Sequence, residues 1–284
     1  MRAYDILSHD DGVNRWRMAR AAPAAALRGH VDHYLDYWEQ TSFHTRSELA
    51  STRTVLIFNL GEYLEIVDAQ GHSVRLGPGE GFVGGFADGT SLSRTTGTGQ
   101  GVHVMLGWAG LARLCGAPLG LLANRVERIE DVLGGWMRAV GQRLLGAPDM
   151  EARFCVLDAA LGAALARGRR ADARIVAATR ALGADPARPI AAIAGALELS
   201  QRHFIARFRE ETGFPPAHYR RLLRFERFTE AIARAPAVRL ADLAQDAGYY
   251  DEPHLARDVQ AFAGLTPGAL RGLLIPQGGG FLAD

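Results

Sequence analysis

From Arg53 to Gly107 the chain runs through short stretches rich in β-branched and aromatic residues, RTVLIFNL, EYLEIVD, HSVRL, GEGFVGGF, TSLSRTT and GVHVMLG, separated by glycine-bearing turns. That pattern predicts a barrel or sandwich. The preceding LRGHVDHYLDYWEQ is aromatic and amphipathic, and we expect a helix-like segment lying across the sheet. Beyond Trp108 the apolar residues of LARLCG, EDVLGGWMRAVGQRLLGA and EARFCVLDAALGAALARG recur at helical spacing, which predicts a helical section from Leu111 to Arg167. The polar GRRAD at 168–172 is the natural linker.

Beyond the linker the sequence repeats itself at a spacing of about fifty residues. The copies are IAAIAGALELSQRHFIARFREETGFPPAHYR from Ile190 and LADLAQDAGYYDEPHLARDVQAFAGLTPGALR from Leu240, the second one residue longer in its turn. His203 aligns with His254, Gly213 with Gly264, Pro216 with Pro267 and Arg220 with Arg271. Each copy opens on a short apolar helix with a mid-way alanine, Ala194 or Ala244, where only a small side chain lets a second helix cross closely. A turn follows, then Ser200 or Asp251 as N-cap of a second helix that Gly213 or Gly264 ends.

On a helical wheel, Phe204, Phe208 and Glu211 share one side of the first of these helices, with Arg202, Ala206 and Arg209 opposite and Ile205 at the flank. In the second, Leu255, Val259 and Phe262 turn inward, leaving Pro253, Arg257 and Gln260 outward and Ala256 at the flank. Ordinary solvated charge explains one such face, but two of the same capped design point to a pair of helix-turn-helix units. The amphipathic AHYRRLLRFERFTEAIAR between them is long enough, at roughly 30 Å, to match the separation of successive major-groove faces of B-DNA.

Composition adds little to this pattern. All 32 basic residues are arginine, and the formal net charge of +1 leaves room for one basic face on an otherwise acidic surface. Arginine's planar fork suits phosphates and guanine edges. The acid-bearing start MRAYDILSHDDG and the want of a long apolar run give no signal peptide and no membrane span, so we expect a cytoplasmic protein. The two cysteines, Cys115 and Cys155, lie outside any CxxC or Cys/His cluster and read as buried structural thiols.

The residues from Asp172 to Leu274 resemble the AraC/XylS family of bacterial transcription regulators. The resemblance rests on the run LS-x-x-H-F-x-x-x-F-x-x-x-x-G, the R-F-x-R of the connecting helix, and AGYYDEPHLARDVQAFAGLTP. It implies base-contacting positions at Arg202, Ile205 and Ala206 and at Glu252, Pro253, Ala256 and Arg257. The expected DNA-binding set also includes Ser200, Gln201, Arg209, Arg220, Arg221, Asp251 and Gln260, with Arg209, Arg220 and Arg221 meeting phosphates. Glu198 stands where the family has glycine, at a cost of about 1 kcal/mol if the backbone is left-handed there. The first half looks like the cupin-like sensory domain of such regulators, and NRVERIEDVLG at 124–134 is similar to a variant amino-terminal domain.

The expected architecture is therefore α+β: a β-rich cupin-like barrel over 1–110, a helical linker over 111–168 that is a candidate for dimerisation, a double helix-turn-helix domain over 172–275, and a tail over 276–284. The implied function is sequence-specific DNA binding by an activator rather than an enzyme. Expected partners are double-stranded DNA, RNA polymerase, a small-molecule effector and a second copy. Trp38, Phe58, Phe82 and Phe86 are candidates to line the effector pocket.

Other chemistry is weaker. Cupin metal sites often use an H-x-H pair, and none occurs; His30 and His33 fall in the helix-like stretch, His44 in a polar one, and His72 and His103 are isolated on strands, so neither metal nor cofactor is expected. His203 and His254 suit packing or phosphate contact. LGPGEGFVGG lacks the lysine and hydroxyl end of a phosphate loop. The alternative, a cupin-type metal-dependent enzyme with a helical appendage, would show stoichiometric metal and no DNA binding.

Overall fold

In a computed structural model of the chain, residues 2–275 and 280–282 are described. Strands β1 (Tyr4–Asp10), β2 (Arg15–Ala21), β3 (Val31–Gln40), β4 (Thr45–Glu48), β5 (Thr54–Asn59), β6 (Leu64–Val67), β7 (Ser73–Leu76), β8 (Gly81–Gly84), β9 (Ser91–Arg94), β10 (Thr98–Leu106), β11 (Val126–Arg128) and β12 (Phe281–Leu282) form two antiparallel sheets. One has the order β1-β2-β3-β10-β5-β8-β11, the other β12-β4-β9-β6-β7. Eleven helices follow β10, interrupted by β11 and closed by β12: α1 (Trp108–Cys115), α2 (Ile129–Leu133), α3 (Trp136–Leu145), α4 (Met150–Arg167), α5 (Ala173–Ala184), α6 (Ile190–Ala196), α7 (Gln201–Thr212), α8 (Pro216–Arg234), α9 (Leu240–Asp246), α10 (Glu252–Ala263) and α11 (Pro267–Leu273). The α+β class and the β-rich first half are as expected.

LRGHVDHYLDYWEQ corrects the expectation of a helix. Its residues from Val31 to Gln40 are β3, paired with β2 on one side and β10 on the other. Successive side chains on a strand point to opposite faces, and here both faces are covered. Tyr34 and Asp36 point to the helices, where Asp158 accepts from the Tyr34 hydroxyl at 2.9 Å and Arg153 pairs with Asp36 at 2.7 Å. His33, Leu35, Tyr37 and Glu39 line the space between the sheets. A strand covered on both faces along its middle loses the polar/apolar alternation that would identify it. The sequence pattern did not suggest β1 or β2 either, although β1 is largely exposed and β2 alternates exposed Arg15 and Arg17 with buried Trp16 and Met18.

The seven-stranded sheet is thus the middle layer. Leu56, Phe58, Val102, Val104 and Leu106 face the helices in one core that runs without a break into α5 to α11. Val55, Ile57, Phe82, His103 and Met105 face the other sheet across the internal cavity. The helical section begins at Trp108, whose indole donates to Thr179 Oγ1 in α5 at 3.1 Å. The linker at 168–172 is packed rather than loose: a Cβ on Gly168 would come within 2.1 Å of the Arg113 carbonyl oxygen, and Asp172 caps α5 and accepts from Arg207 of α7 at 3.2 Å.

Three smaller expectations change. Cys155 is exposed, on a face of α4 turned from the core, although Cys115 is half-buried as a free thiol. His72 lies in the turn before β7, not on a strand. Within the expected tail, Phe281 and Leu282 pair with Ser47 and Arg46 of β4, while residues 276–279 and 283–284 lie outside the described residues.

Candidate nucleic-acid interface

Each repeat copy builds the same local object. In the first, Ser200 is extended and its hydroxyl accepts from the His203 amide, α7 follows, and Gly213 ends it at φ 88°. In the second, Asp251 accepts from the His254 amide, α10 follows, and Gly264 ends it at φ 69°. The caps take up amides that the first helical turn leaves without partners, and glycine adopts the left-handed stop without a Cβ penalty. Ala194 of α6 and Ala244 of α9 are buried to 1% and 4% exposure where those helices cross their partners.

The turn between α6 and α7 carries the duplication's main asymmetry. Glu198 sits at φ 56°, a left-handed backbone that costs a non-glycine residue about 1 kcal/mol, whereas the second copy has Gly248 at φ 92°.

The inward faces are buried as the wheels require. Phe204, Phe208, Leu255, Val259 and Phe262 are at most 2% exposed. They pack on α8, whose Leu222, Phe225 and Phe228 are fully buried, so each large side chain contributes about 1.5 to 3 kcal/mol of apolar burial. With 19 residues, α8 is roughly 28 Å long at 1.5 Å per residue.

On the outward faces Ser200, Gln201, Arg202, Ala206 and Arg209 are exposed and Ile205 is half-buried. On the second helix Asp251, Glu252, Pro253, Ala256, Arg257 and Gln260 are all exposed. Arg257 Nε donates only to the Pro253 carbonyl within its own helix, at 3.1 Å. The 3-10 turn Leu119–Leu122 lies against the C-terminal end of α7, where Gly120 approaches the Glu210 carbonyl.

Arg220 and Arg221 differ from the other arginines. Both are half-buried at the start of α8, and Arg221 is engaged. Its Nε donates to Asp258 Oδ1 at 2.9 Å, its second nitrogen approaches the same oxygen at 2.8 Å, and its guanidinium lies 5.1 Å from the Phe262 ring centroid. Arg224 closes on Asp258 Oδ2 at 3.5 Å and on His254 Nε2 at 3.1 Å. Asp258 is 2% exposed, so this cluster clamps α10 to α8 from beneath. His254 packs edge-on against Tyr249 at 5.1 Å, and burial together with the Arg224 charge lowers its pKa. His203 is exposed.

Sequence reasoning missed Tyr250. It is 94% exposed immediately before the cap of α10 and is the residue by which the second turn is longer, since Leu199 pairs with the buried Tyr249, each amide bonding the carbonyl of its mid-helix alanine. An aromatic as the extra residue of that turn was the available signal.

The aromatic candidates for an effector pocket separate by strand parity. Only Phe82 lines the cavity; Phe58 faces the helical core, Phe86 packs on Phe214 and Tyr219, and Trp38 shares the parity of Tyr34 and stands 43% exposed. The space between the sheets holds two connected cavities of about 240 and 440 Å3, sharing Glu48, Arg53, Ile57, Ile66, His103 and Met105. Burial drives His103 down to about 3 and His33 to about 4, so both imidazoles are neutral there. Arg46 pairs with Glu39 and Glu48 inside the same space. Among the described residues no group of three or more His, Cys, Asp and Glu side chains could hold a metal ion, and no helix is long and apolar enough to cross a membrane.

The β-rich half grips α8 directly. Glu226 accepts from Ser51 Oγ at 2.6 Å, the Thr52 amide at 2.8 Å and Thr52 Oγ1 at 2.6 Å. Arg53 pairs with Glu230 at 2.5 Å and Asp88 with His218 at 2.8 Å. Donation from His218 is the main reason the Asp88 carboxyl is held below its ordinary pKa.

Residues 193–272 match a family described as a helix-turn-helix domain. No curated protein matches the chain. Among solved structures, an apo ToxT variant from Vibrio cholerae strain SCE256 is similar at 10% identity and a TM-score of 0.52, over 94% of this chain and 100% of that one. ToxT from Vibrio cholerae O395 is similar at 10% identity and a TM-score of 0.50, over 91% of this chain and 97% of that one. The same protein bound to (E)-4-(8-methylnaphthalen-1-yl)but-3-enoic acid is similar at 11% identity and 0.50, over 92% and 98%. Residues 193–272 are therefore similar to a helix-turn-helix domain family, within a chain whose fold is similar over nearly its whole length to that of ToxT.

Proposed function

We propose that the chain is a sequence-specific DNA-binding transcription regulator that sets α7 and α10 into successive major-groove faces of one duplex. The observation that carries this reading is the pair of capped helices with exposed, arginine-bearing outer faces, joined by a helix of 19 residues. Because the faces differ, Arg202-Ile205-Ala206 against Pro253-Ala256-Arg257, the target is asymmetric, with two unlike half-elements about one helical turn apart. Arg202 and Arg257 are free to present two donors to guanine O6 and N7. Ser200, Gln201, Arg209, Asp251, Glu252 and Gln260 border those faces. Replacing Arg202 or Arg257 by alanine should weaken binding to the preferred duplex by roughly 1 to 3 kcal/mol and leave a scrambled duplex nearly unaffected. Equal losses on both duplexes would remove these residues from base reading.

The cavity between the sheets is the proposed effector site. In support, a protein of similar fold is known bound to a small organic acid. Arg53 lines both parts of the cavity and also pairs with Glu230 of α8, next to the Ser51 and Thr52 contacts on Glu226. A ligand that draws on Arg53 therefore acts on a residue already bound to the connecting helix, which is how occupancy would bias the DNA-binding half. Activation and contact with RNA polymerase rest on the family resemblance, and a reporter assay with and without the regulator decides the direction.

A further inference from the structure

On the helix-covered side of the seven-stranded sheet, away from the cavity between the sheets, α1, α3 and α4 leave a groove of about 730 Å3. That volume lies within the roughly 300–1,000 Å3 of small-molecule sites. Leu114, Val140, Ala160 and Ala164 give it apolar walls, and Trp136 beside them is 38% exposed. Arg113, Arg143, Arg167 and Arg169 also line it, and no carboxylate does. Among the described residues none of these four arginines forms an ion pair, although the other arginines of the chain form many. The Arg113 Nε is buried without a partner, while its terminal nitrogen donates to His30 Nε2 at 3.2 Å. Burial, then repulsion from Arg113 and Arg170, lowers the His30 pKa.

Gly168 fixes this arrangement. Its contact with the Arg113 carbonyl lets the end of α4 close on α1, bringing Arg167 and Arg169 to Arg113. Helix C-termini favour a cation each by up to about 1 kcal/mol, which accounts for one or two arginines and not for four.

We propose that this groove binds a small organic anion with an aromatic body, its charged group taken by the arginines and its ring lying on Val140, Leu114 and Trp136. The site is separate from the proposed effector cavity and does not depend on it.

The test uses the full chain with 8-anilinonaphthalene-1-sulfonate as the probe and neutral N-phenyl-1-naphthylamine, which lacks the sulfonate, as its control. The sulfonate should bind saturably, with quenching of tryptophan emission, and at least tenfold more tightly than the neutral amine. Arg143→Glu with Arg167→Glu should weaken it at least tenfold, while Arg53→Gln in the other cavity should not. Ala163→Trp, at an exposed position lining the groove, should block binding by filling it and covers the case in which the charge reversal fails to fold. Unchanged binding in folded A163W, or equal binding of the neutral amine, overturns the proposal. So does a fall of one unit or more in the salt dependence of DNA binding for the charge-reversed variant, since the arginines would then serve phosphates.

Discussion

Removing Arg221 separates two roles that the sequence alone could not distinguish, phosphate contact and internal clamp. In Arg221→Ala, Asp258 loses two contacts of 2.9 and 2.8 Å and keeps Arg224 at 3.5 Å, with its carboxylate 2% exposed beneath α10. Breaking a fully buried pair costs about 3–5 kcal/mol. The Arg221 side chain is 39% exposed, so water recovers part of that, and we expect a loss of about 2 kcal/mol. Asp258→Ala leaves Arg221 and Arg224 adjacent and uncompensated, and should destabilise by about 2 to 3 kcal/mol. If the two act through each other, the double variant is less destabilised than the sum, with a coupling of about 1.5 kcal/mol. Urea unfolding of the three variants measures the coupling, and DNA titration at several salt concentrations measures the slope. The clamp predicts weaker binding at the second half-element with the salt slope unchanged. A coupling below about 0.5 kcal/mol together with a slope reduced by about one unit would refute the clamp and return Arg221 to the DNA backbone.

Glu226→Ala removes three short contacts that tie Ser51 and Thr52 to α8, and should lower stability to urea by about 3 kcal/mol, with Glu226→Gln recovering part. His103 is neutral when folded because burial holds it near 3, so the unfolded state binds the extra proton as pH falls below 6.5. Stability is complete above that value and falls by about 2 kcal/mol from this residue between pH 7 and pH 5; His103→Gln should flatten that part of the profile. Glu198→Gly relieves the left-handed backbone at φ 56° and should raise the urea midpoint by the equivalent of about 0.5 to 1 kcal/mol, whereas Gly248→Glu should lower it.

The helical half was readable residue by residue because its elements are wet on one side. Ser200, Asp251, Gly213 and Gly264 mark their own helix ends, and α7 and α10 keep a polar face that sets the period. The β-rich half was readable where short apolar runs fell between glycine-bearing turns, as for β8 in GEGFVGGF. In β3, Tyr34 meets helices and His33 meets the cavity, so both faces carry large or polar-tipped side chains and the pattern imitates an amphipathic helix. Asp258 and Arg221 were opaque for another reason: a charge on an inward face looks like a surface charge until its partner, 37 residues away, is brought against it. Phe58 and Phe82 show the limit of aromatic content as a guide to pockets, since their shared type says nothing of which side of the sheet each occupies.

The pairing of β12 with β4 gives the fold the topology of an insertion. Phe281 lies against Ser47 and bridges Leu274 just past α11, so the five-stranded sheet is closed by residues that come after the entire helical region. That region leaves the β-rich half through Trp108 and re-enters it through Phe281, with Glu226 held at its middle. A segment anchored at both ends and the centre has little freedom to melt or swing by itself. Calorimetric unfolding of the full chain should therefore appear as one transition whose van 't Hoff and calorimetric enthalpies agree, and a cut in the turn after Gly213 should uncouple it into two.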